Sequence, residues 1–358
     1  MPAPDLRTLD RDELVAFAAA LGEPAYRGRQ LFEWVHEKRA GSFDAMTSLP
    51  AALRERLRTE ATLGTLAETA RQTASDGTVK CLLALPSGRA VEAVLIPDVE
   101  PETGQARRLT ACVSSQVGCA MGCHFCATGL LGFRENLTAG QIAGQAHHLD
   151  AIAREAYGRG LTNVVYMGMG EPMQNYGAVV KSAGLIAEGL GLSPKRITVS
   201  TVGLARRIRR LADDQAEGRV VPFRLAVSLH APTDAQRSAI MPVNRSEATD
   251  LSALHGALEH YWKRTGQRVT YEYCVFDGLN DGPEDARHLA RVSRWVPSKV
   301  NLIVYNPVPG TPFTSPSEAR LERFIRALVA EGVRVTVRRS RGQDIDAACG
   351  QLAGQADG

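Results

Sequence analysis

The chain has 358 residues, 44% of them hydrophobic, which is enough for one large core and a small additional domain. Its formal net charge of +3 is too small to predict nucleic-acid binding from charge alone. Seven cysteines, an odd number, do not form the pattern of a disulfide framework and favour a reducing compartment. No apolar run approaches the roughly 20 residues that span a bilayer, and acidic residues precede the apolar run 14–21 where a signal peptide is basic. These features predict a cytoplasmic protein.

Residues 1–64 are predicted to form a helical domain. Asp10, followed by Glu13, is a capping pattern for a first helix, and further helices are expected after Pro24 and from Pro50. Basic side chains on these helices are either a solvated face or contacts to phosphate groups. The candidates for such contacts are Arg27, Arg29, Lys38 and Arg39.

Residues 65–104 are predicted to form a β-hairpin extension. Residues 78–85 and 89–96 have the composition of strands, and Pro86-Ser-Gly is the turn between them. Glu92 lies among apolar residues of the second strand, so a buried carboxylate there needs a partner or a functional reason. An outward-facing glutamate is an equally good interpretation of the same pattern.

From residue 105 to residue 350, predicted strands alternate with helices, which indicates a parallel sheet. Thr138 and Gln141 fit a capping box that opens one of the helices. The other helices are predicted at 251–264, 283–295 and 317–331, and the strands at 108–113, 163–167, 196–200, 224–229, 269–276, 300–305 and 333–337. About six βα units are too few for a complete eight-fold barrel. Residues 351–358 are predicted to be a C-terminal tail.

Three cysteines share the loop 118–129. Cys119, Cys123 and Cys126 have the spacing C-x3-C-x2-C, which suits a soft metal or an iron–sulfur cluster. A structural zinc ion would need a fourth ligand, and His124, adjacent to Cys123, could bind the same ion only with strain. A [4Fe–4S] cluster held by three thiolates instead leaves one iron open. A zinc site and three unrelated core cysteines remain alternatives from the spacing alone.

This loop, with Phe125 before its third cysteine, resembles the signature of the radical S-adenosylmethionine (SAM) enzymes. In that superfamily the open iron binds SAM, and the reduced cluster cleaves SAM to a 5'-deoxyadenosyl radical. The flanking segments 112–118 and 127–129 and the C-terminal segment 344–352 resemble the RlmN/Cfr family of RNA adenine methyltransferases. The resemblance extends over nearly the whole chain. It implies an α/β fold with a partial (β/α)6 radical SAM barrel, an N-terminal RNA-binding accessory domain and the β-hairpin extension.

Polar residues follow the ends of four predicted strands, where parallel α/β proteins place their binding sites. Gly170 and Glu171 follow the strand 163–167, although Gly-Glu-Pro by itself is more often only a turn. The resemblance implies that these two residues hold the amino group of SAM. The other positions that match SAM contacts of the family are Ser200, Ser228, Leu229, His230 and Asn306.

Cys349 is distant in sequence from the cysteine loop. Asp344 and Asp346 precede it and Gly350 follows it, which favours an exposed, mobile tail over a buried, inert thiol. The resemblance implies that Cys349 accepts a methyl group from one SAM molecule and that a radical made from a second SAM activates this methyl group. By the same likeness, Cys112 then forms a disulfide with Cys349 and releases the product.

The family likeness also implies that Glu92 is the base that removes the proton of the adenine ring. Cys81 and Cys274 match no family role and are predicted to be buried in strands. Two arginine clusters are candidate phosphate contacts, with a solvated surface as the equal alternative. They consist of Arg206, Arg207, Arg209 and Arg210, and of Arg334, Arg338, Arg339 and Arg341.

The resemblance therefore predicts methylation of an adenine of 23S ribosomal RNA at C2, and of an adenine in transfer RNA, by a monomer that receives electrons from a flavodoxin-type donor. Methylation at C8, as in the Cfr branch, is the first alternative. Another radical SAM enzyme that acts on a peptide or small molecule is the second, and a zinc-bearing RNA-binding module is the third.

Overall fold

The structure is a computed structural model and describes residues 3–64, 66–100, 102–245, 248–338 and 340–354. Arg339 and residues 355–358 of the predicted tail lie outside the described residues. The strands are β1 (Ala67–Thr73), β2 (Val79–Ala84), β3 (Ala90–Val99), β4 (Ala106–Cys112), β5 (Gln116–Val117), β6 (Glu135–Asn136), β7 (Asn163–Tyr166), β8 (Ile197–Thr201), β9 (Arg224–Ser228), β10 (Val269–Val275), β11 (Ser298–Val304) and β12 (Val335–Arg338). The α-helices are α1 (Arg11–Ala20), α2 (Ala25–Phe32), α3 (Ala51–Glu60), α4 (Ala127–Leu130), α5 (Ala139–Tyr157), α6 (Tyr176–Gly189), α7 (Ala205–Ala216), α8 (Asp234–Ile240), α9 (Leu251–Thr265), α10 (Pro283–Ser293) and α11 (Glu318–Ala330).

The N-terminal helices begin where local chemistry predicts. The Asp10 carboxylate accepts a hydrogen bond from the Glu13 amide at 2.9 Å, and the Glu13 carboxylate accepts one from the Asp10 amide at 2.9 Å. This reciprocal pair satisfies two amides that the first helical turn leaves free. Helices α2 and α3 start after Pro24 and Pro50, and their apolar side chains join the same hydrophobic core as the sheet.

One ten-stranded sheet, in the order β1-β2-β3-β4-β7-β8-β9-β10-β11-β12, organises the rest of the chain. All pairs from β4 to β12 are parallel, and helices provide the six connections between them. The structure therefore has the α/β fold with a largely parallel sheet that the alternating pattern predicts. The capping box at Thr138 and Gln141 also forms, and it opens α5.

The extension contains three antiparallel strands and not only the predicted hairpin. β2 and β3 form that hairpin, with Leu82 opposite Glu92, and β1 pairs with the free edge of β2. The sequence of β1, Ala-Glu-Thr-Ala-Arg-Gln-Thr, has no apolar alternation because most of its side chains are exposed at the sheet edge. Periodicity could not have found this strand.

The parallel strands surround an open interior. Alternate side chains of each strand point to opposite faces, so Val164, Val199 and Leu225 are buried towards the helices while their neighbours line the barrel interior. The interior is polar, with Asn163 and Thr198 among the lining residues. Among the described residues, no helix combines the length and apolar character needed to cross a bilayer.

Candidate active site

The cysteine loop leaves β5 through a glycine that no other residue could replace without rearrangement. Gly118 has a φ of +70°, and a Cβ atom there would lie 1.8 Å from the carbonyl oxygen of Gly132. The amide of Cys119 donates to that same carbonyl at 3.1 Å. This close backbone contact fixes the start of the loop and turns its thiols into a cavity at the carboxyl ends of the strands.

The spacing of the three thiols fits a multi-iron cluster better than a single ion. The sulfur atoms of Cys119, Cys123 and Cys126 all face one cavity but do not all lie within 4.8 Å of one another. Three thiolates on one zinc ion, each at about 2.3 Å, would lie about 3.8 Å apart. Burial raises the pKa of Cys119 to about 12 and raises the pKa of the other two thiols as well. The thiolate forms therefore need adjacent positive charge, which bound iron supplies.

His124, the candidate fourth zinc ligand, does not complete a site with these thiols. Its side chain is exposed, and ring atom Nδ1 lies 3.0 Å from the carbonyl oxygen of Ala239. Elsewhere in the described residues, one other group has its potential metal-ligand atoms within 4.8 Å of one another, and it consists of Glu68, Cys81 and His148. Arg71 already donates two hydrogen bonds to Glu68, at 2.9 and 3.0 Å.

The cavity that the thiols of Cys119, Cys123 and Cys126 face is named the cluster cavity below. Glu171 is held as a hydrogen-bond acceptor on its wall. Its carboxylate accepts from the Thr201 hydroxyl at 2.7 Å, the Val202 amide at 2.8 Å and the Met173 amide at 2.9 Å. Burial raises the pKa of Glu171, and these three donors oppose that shift because they favour the charged form. The two oxygens have lone pairs left for a further donor, such as an ammonium group.

Gly170 positions this carboxylate through its backbone. Its φ is +98°, and an added Cβ would lie 2.6 Å from the Cβ of Gln116. The Gln116 side chain accepts a hydrogen bond from the Glu171 amide at 2.8 Å. A side chain at position 170 would therefore displace the segment that carries Glu171.

Three more predicted SAM contacts line the same cavity. The hydroxyl oxygens of Ser200 and Ser228 lie 3.2 Å apart at the ends of neighbouring strands. His230 has a φ of 55°, and its Nδ1 accepts a hydrogen bond from the Cys274 amide at 3.0 Å. Burial lowers the pKa of His230 to about 3, so the ring is neutral and carries its proton on Nε2.

The other two predicted SAM contacts do not line this cavity. Leu229 is buried, and its amide donates to the carbonyl oxygen of Glu272 at 3.0 Å. Asn306 lies beside the C-terminal segment, where its side-chain amide donates to the carbonyl oxygen of Cys349 at 3.1 Å. Asn306 thus orients the Cys349 backbone in this structure.

Cys349 connects the cluster cavity to a second, smaller cavity that also contains Cys112. Both thiols are free. Burial raises the pKa of Cys112 to about 12, while the Arg338 guanidinium acts in the opposite direction. Cys81 and Cys274 are buried in β2 and β10 as predicted, although Cys274 also contacts the cluster cavity.

The segment around Cys349 is packed and is not the exposed tail that its acidic residues predicted. Ala348 and Leu352 are buried, and Cys349 is half-buried. The Gly350 carbonyl accepts from the Ala127 amide at 2.8 Å, and the Leu352 carbonyl accepts from the Thr128 hydroxyl at 2.5 Å. The prediction was wrong because local polarity does not report contacts with residues more than 200 positions away.

Glu92 is buried and has partners. Its side chain lies 3.2 Å from Lys80 Nζ, and its Oε2 accepts from the amides of Ala353 and Gly354 at 2.8 and 2.9 Å. Glu92 faces a groove beside the C-terminal segment and does not line the cluster cavity. The outward-facing alternative for this residue is therefore excluded.

Several residues at the site were not found by sequence analysis. Glu272, in the apolar strand β10, is 5% exposed and lines the cluster cavity, and the signal that singled out Glu92 was present there too. Arg237 is fully buried and donates to the backbone carbonyls of Leu229 and Val202, which fixes the loops beside the cavity. No local pattern distinguishes Arg237 from a surface arginine of an amphipathic helix.

The two arginine clusters differ in their placement. Arg206, Arg209 and Arg210 are exposed on α7. The C-terminal cluster does not form one surface, because Arg334 is exposed while Arg338 lines the barrel interior.

Comparison with known proteins agrees with this geometry. The profile of the ribosomal RNA large subunit methyltransferase N-terminal domain matches residues 4–63, and the radical SAM superfamily profile matches residues 113–290. A probable dual-specificity RNA methyltransferase RlmN of Salinibacter ruber is 56% identical over 99% of this chain and 95% of the relative. The dual-specificity RNA methyltransferase RlmN of Anaeromyxobacter dehalogenans is 44% identical, over 98% of this chain and 92% of the relative.

A solved structure has the same fold throughout. The crystal structure of a radical SAM methyltransferase from Sphaerobacter thermophilus superposes with a TM-score of 0.90 at 45% sequence identity, over 98% of this chain and all of that one. The superfamily carries a [4Fe–4S] cluster and uses SAM, and the three loop thiols and the cavity of Glu171 fit that pair. With its thiol loop, its partial barrel and relatives matched over nearly their full length, this chain belongs to the RlmN family of radical SAM RNA methyltransferases.

Proposed function

We propose that this protein methylates C2 of an adenine in 23S ribosomal RNA and also methylates an adenine in transfer RNA. The observation that carries this proposal is the position of Cys349, which lines both the cluster cavity and the cavity of Cys112. A methyl carrier must be accessible first to SAM and then to a resolving thiol, and Cys349 adjoins both. The curated relatives named dual-specificity RNA methyltransferases support the two RNA substrates.

The cluster cavity is proposed to bind SAM. Cys119, Cys123 and Cys126 would hold the cluster, which when bound supplies the electron for reductive cleavage of SAM. Glu171 would accept hydrogen bonds from the ammonium group of SAM, since its carboxylate is already fixed by three donors. The other predicted SAM-binding residues are Gly170, Ser200, Ser228, Leu229, His230 and Asn306. Leu229 and Asn306 would position neighbouring backbone, since they donate hydrogen bonds to the carbonyl oxygens of Glu272 and Cys349.

The two cysteines are proposed to have successive roles. Cys349 would accept a methyl group from one SAM molecule, and the consumption of a second SAM would activate it for addition to the base. Once the adduct has lost one electron, which the cluster would take up when bound, and the ring proton, Cys112 would attack the Cys349 sulfur as a thiolate. The bond from that sulfur to the base-linked carbon would break with its electron pair on the carbon, which gains a proton to become the methyl group, while a Cys112–Cys349 disulfide forms. Arg338 beside Cys112 favours the thiolate form of Cys112 against the effect of burial.

Glu92 is the proposed base for the ring proton. In this structure two backbone amides of the C-terminal segment occupy one of its oxygens and Lys80 lies beside the other. We further propose a cytoplasmic monomer that receives electrons from a flavodoxin-type protein.

Anaerobically reconstituted protein with methyl-labelled SAM, reductant and ribosomal RNA fragments tests the proposal. Mass spectrometry should find label on Cys349 and on 2-methyladenosine, together with iron, sulfide and 5'-deoxyadenosine. Label on 8-methyladenosine alone would show that the protein methylates C8, as in the Cfr branch, and not C2. Full turnover by both Cys112→Ala and Cys349→Ala would refute the carrier mechanism. Reconstituted protein that binds zinc but no iron or sulfide would refute the proposal that it is a radical SAM enzyme.

A further inference from the structure

Glu272 is a buried carboxylate that none of the roles above uses. It lies on β10 in the wall between the cluster cavity and the barrel interior, and it lines both. Only 5% of the residue is exposed. Burial raises its pKa, while Arg338, Asn301 and Lys299 act in the opposite direction. A buried acid at the junction of two cavities needs a partner or a ligand.

One oxygen of this carboxylate is available to a ligand. Oε2 accepts a hydrogen bond from the Asn301 side-chain amide at 2.7 Å. Asn301 is itself oriented, because its Oδ1 accepts from the Thr336 hydroxyl at 3.1 Å. Among the described residues, Oε1 of Glu272 has no hydrogen-bond partner. The site therefore presents one fixed carboxyl oxygen that accepts no hydrogen bond from the described residues.

The barrel interior beneath Glu272 suits the remainder of a nucleotide. Both Lys299 and Arg224 line it. Lys299 pairs with Thr270, two residues before Glu272, and Arg224 lies two residues before Ala226, which also pairs with Thr270, so Arg224 is the further of the two from the cluster cavity. Within the described residues, neither cation has an ion-pair partner within 4.0 Å. Cations without a protein partner are free to neutralise phosphate groups.

We infer that Glu272, oriented by Asn301, accepts a hydrogen bond from the 6-amino group of the target adenine as the base enters through the barrel interior. This inference rests on the proposed function, since it assumes that the substrate is an RNA adenine. Of the groups on the adenine ring, only the 6-amino group carries exchangeable donors once N9 is linked to ribose. The carboxylate thus favours adenine over a purine base without a 6-amino group, which makes Glu272 a specificity-determining residue.

Glu272→Gln reverses the polarity of the contact. The Asn301 amide still requires an acceptor, so the glutamine oxygen should turn towards Asn301 and its NH2 group towards the base. Wild-type holoenzyme should methylate an RNA fragment with adenine at the target position at least about tenfold more efficiently, in kcat/KM, than one with purine, which lacks the amino group. In Glu272→Gln the ratio should fall to about one, through loss of activity on the adenine fragment.

Two further measurements separate this role from others. SAM binding by equilibrium dialysis, and label transfer to Cys349 without RNA, should be unchanged in Glu272→Gln. Glu259→Gln, which removes one negative charge from the outer surface of α9, should keep the wild-type adenine preference. Iron content and thermal unfolding show whether each variant is folded and loaded.

A Glu272→Gln holoenzyme that keeps the adenine preference would overturn the inference, as would one that loses SAM binding, because Glu272 would then serve SAM. Equal wild-type activity on adenine and purine fragments would also overturn it. These outcomes are distinct from failure of the proposed function, in which wild-type protein would place no label on the adenine fragment.

Discussion

Acidification should loosen the contact between the N-terminal helices and α5, because two neutral histidines are buried there together. His36 is 1% exposed and His147 is 6% exposed, and their ring centroids lie 6.2 Å apart. Burial lowers the pKa of His36 to about 4 and the pKa of His147 to about 3. Arg7 also lowers both pKa values, and Arg39 lowers that of His147.

The sign and size of the effect follow from these values. Both folded-state pKa values lie below the unfolded value of about 6.5, so the unfolded chain binds more protons and stability falls as the pH falls. The loss begins near pH 6.5 and continues until the pH reaches about 4 for His36 and about 3 for His147. Between about pH 7.5 and about pH 5, each ring should lower the free energy of unfolding by about 2 kcal/mol, or about 4 kcal/mol together.

Urea unfolding over this pH range measures the effect. His147→Leu is the diagnostic variant, because His147 Nε2 has no hydrogen-bond partner and its replacement retains an apolar side chain. Carboxylates titrate in the same range, but they contribute equally to wild type and variant. The pH-dependent loss should be about 2 kcal/mol smaller in His147→Leu. An identical loss in the two proteins would refute the assignment of neutral, buried histidines.

Three substitutions give further predictions. Gly170→Ala should weaken SAM binding at least about tenfold in equilibrium dialysis, with iron content retained, because the added Cβ would collide with Gln116. A variant with wild-type affinity for SAM would contradict the need for glycine at this position. Glu171→Gln should also weaken SAM binding at least about tenfold, since an ammonium group loses its anionic acceptor, and unchanged affinity would remove Glu171 from the SAM site. Asp150→Asn should lower the free energy of unfolding in urea by about 2 kcal/mol, because the half-buried Arg39, which lies 2.6 Å from Asp150, loses its charged partner. An unchanged free energy of unfolding would show that this ion pair does not stabilise the contact between α5 and the N-terminal domain.

Local chemistry explains which parts of the fold were predictable. The capping boxes at Asp10 and Thr138 involve residues three positions apart, so the sequence alone contains the whole interaction. Most of the parallel strands bury the side chains that face the helices, so apolar residues recur along them and are visible in the sequence. β1 lacks such a signal because its stability comes from pairing with β2, which is a contact that composition does not encode.

The candidate site shows the same division. The cysteine loop was identifiable because three thiols lie within eight residues, whereas Glu171 was singled out through its match to the family motif, since Gly-Glu-Pro by itself is more often only a turn. Glu92 and Glu272 are both acids in apolar strands, yet only the sheet order places Glu272 between two cavities and Glu92 beside the C-terminal segment. Arg237 depends on backbone carbonyls from two separate loops, so only the assembled structure distinguishes it.

The C-terminal segment is anchored on the two residues that directly follow Cys126. Ala127 and Thr128 hold the carbonyls of Gly350 and Leu352, while Cys112 belongs to a strand inside the sheet. The loop that carries the three thiols and the segment that carries Cys349 therefore share hydrogen bonds, so a shift of either one displaces groups that hold the other. Under the proposed function, a substitution that disorders the thiol loop should also displace Cys349, so that one change disables both the proposed cluster site and the proposed methyl carrier.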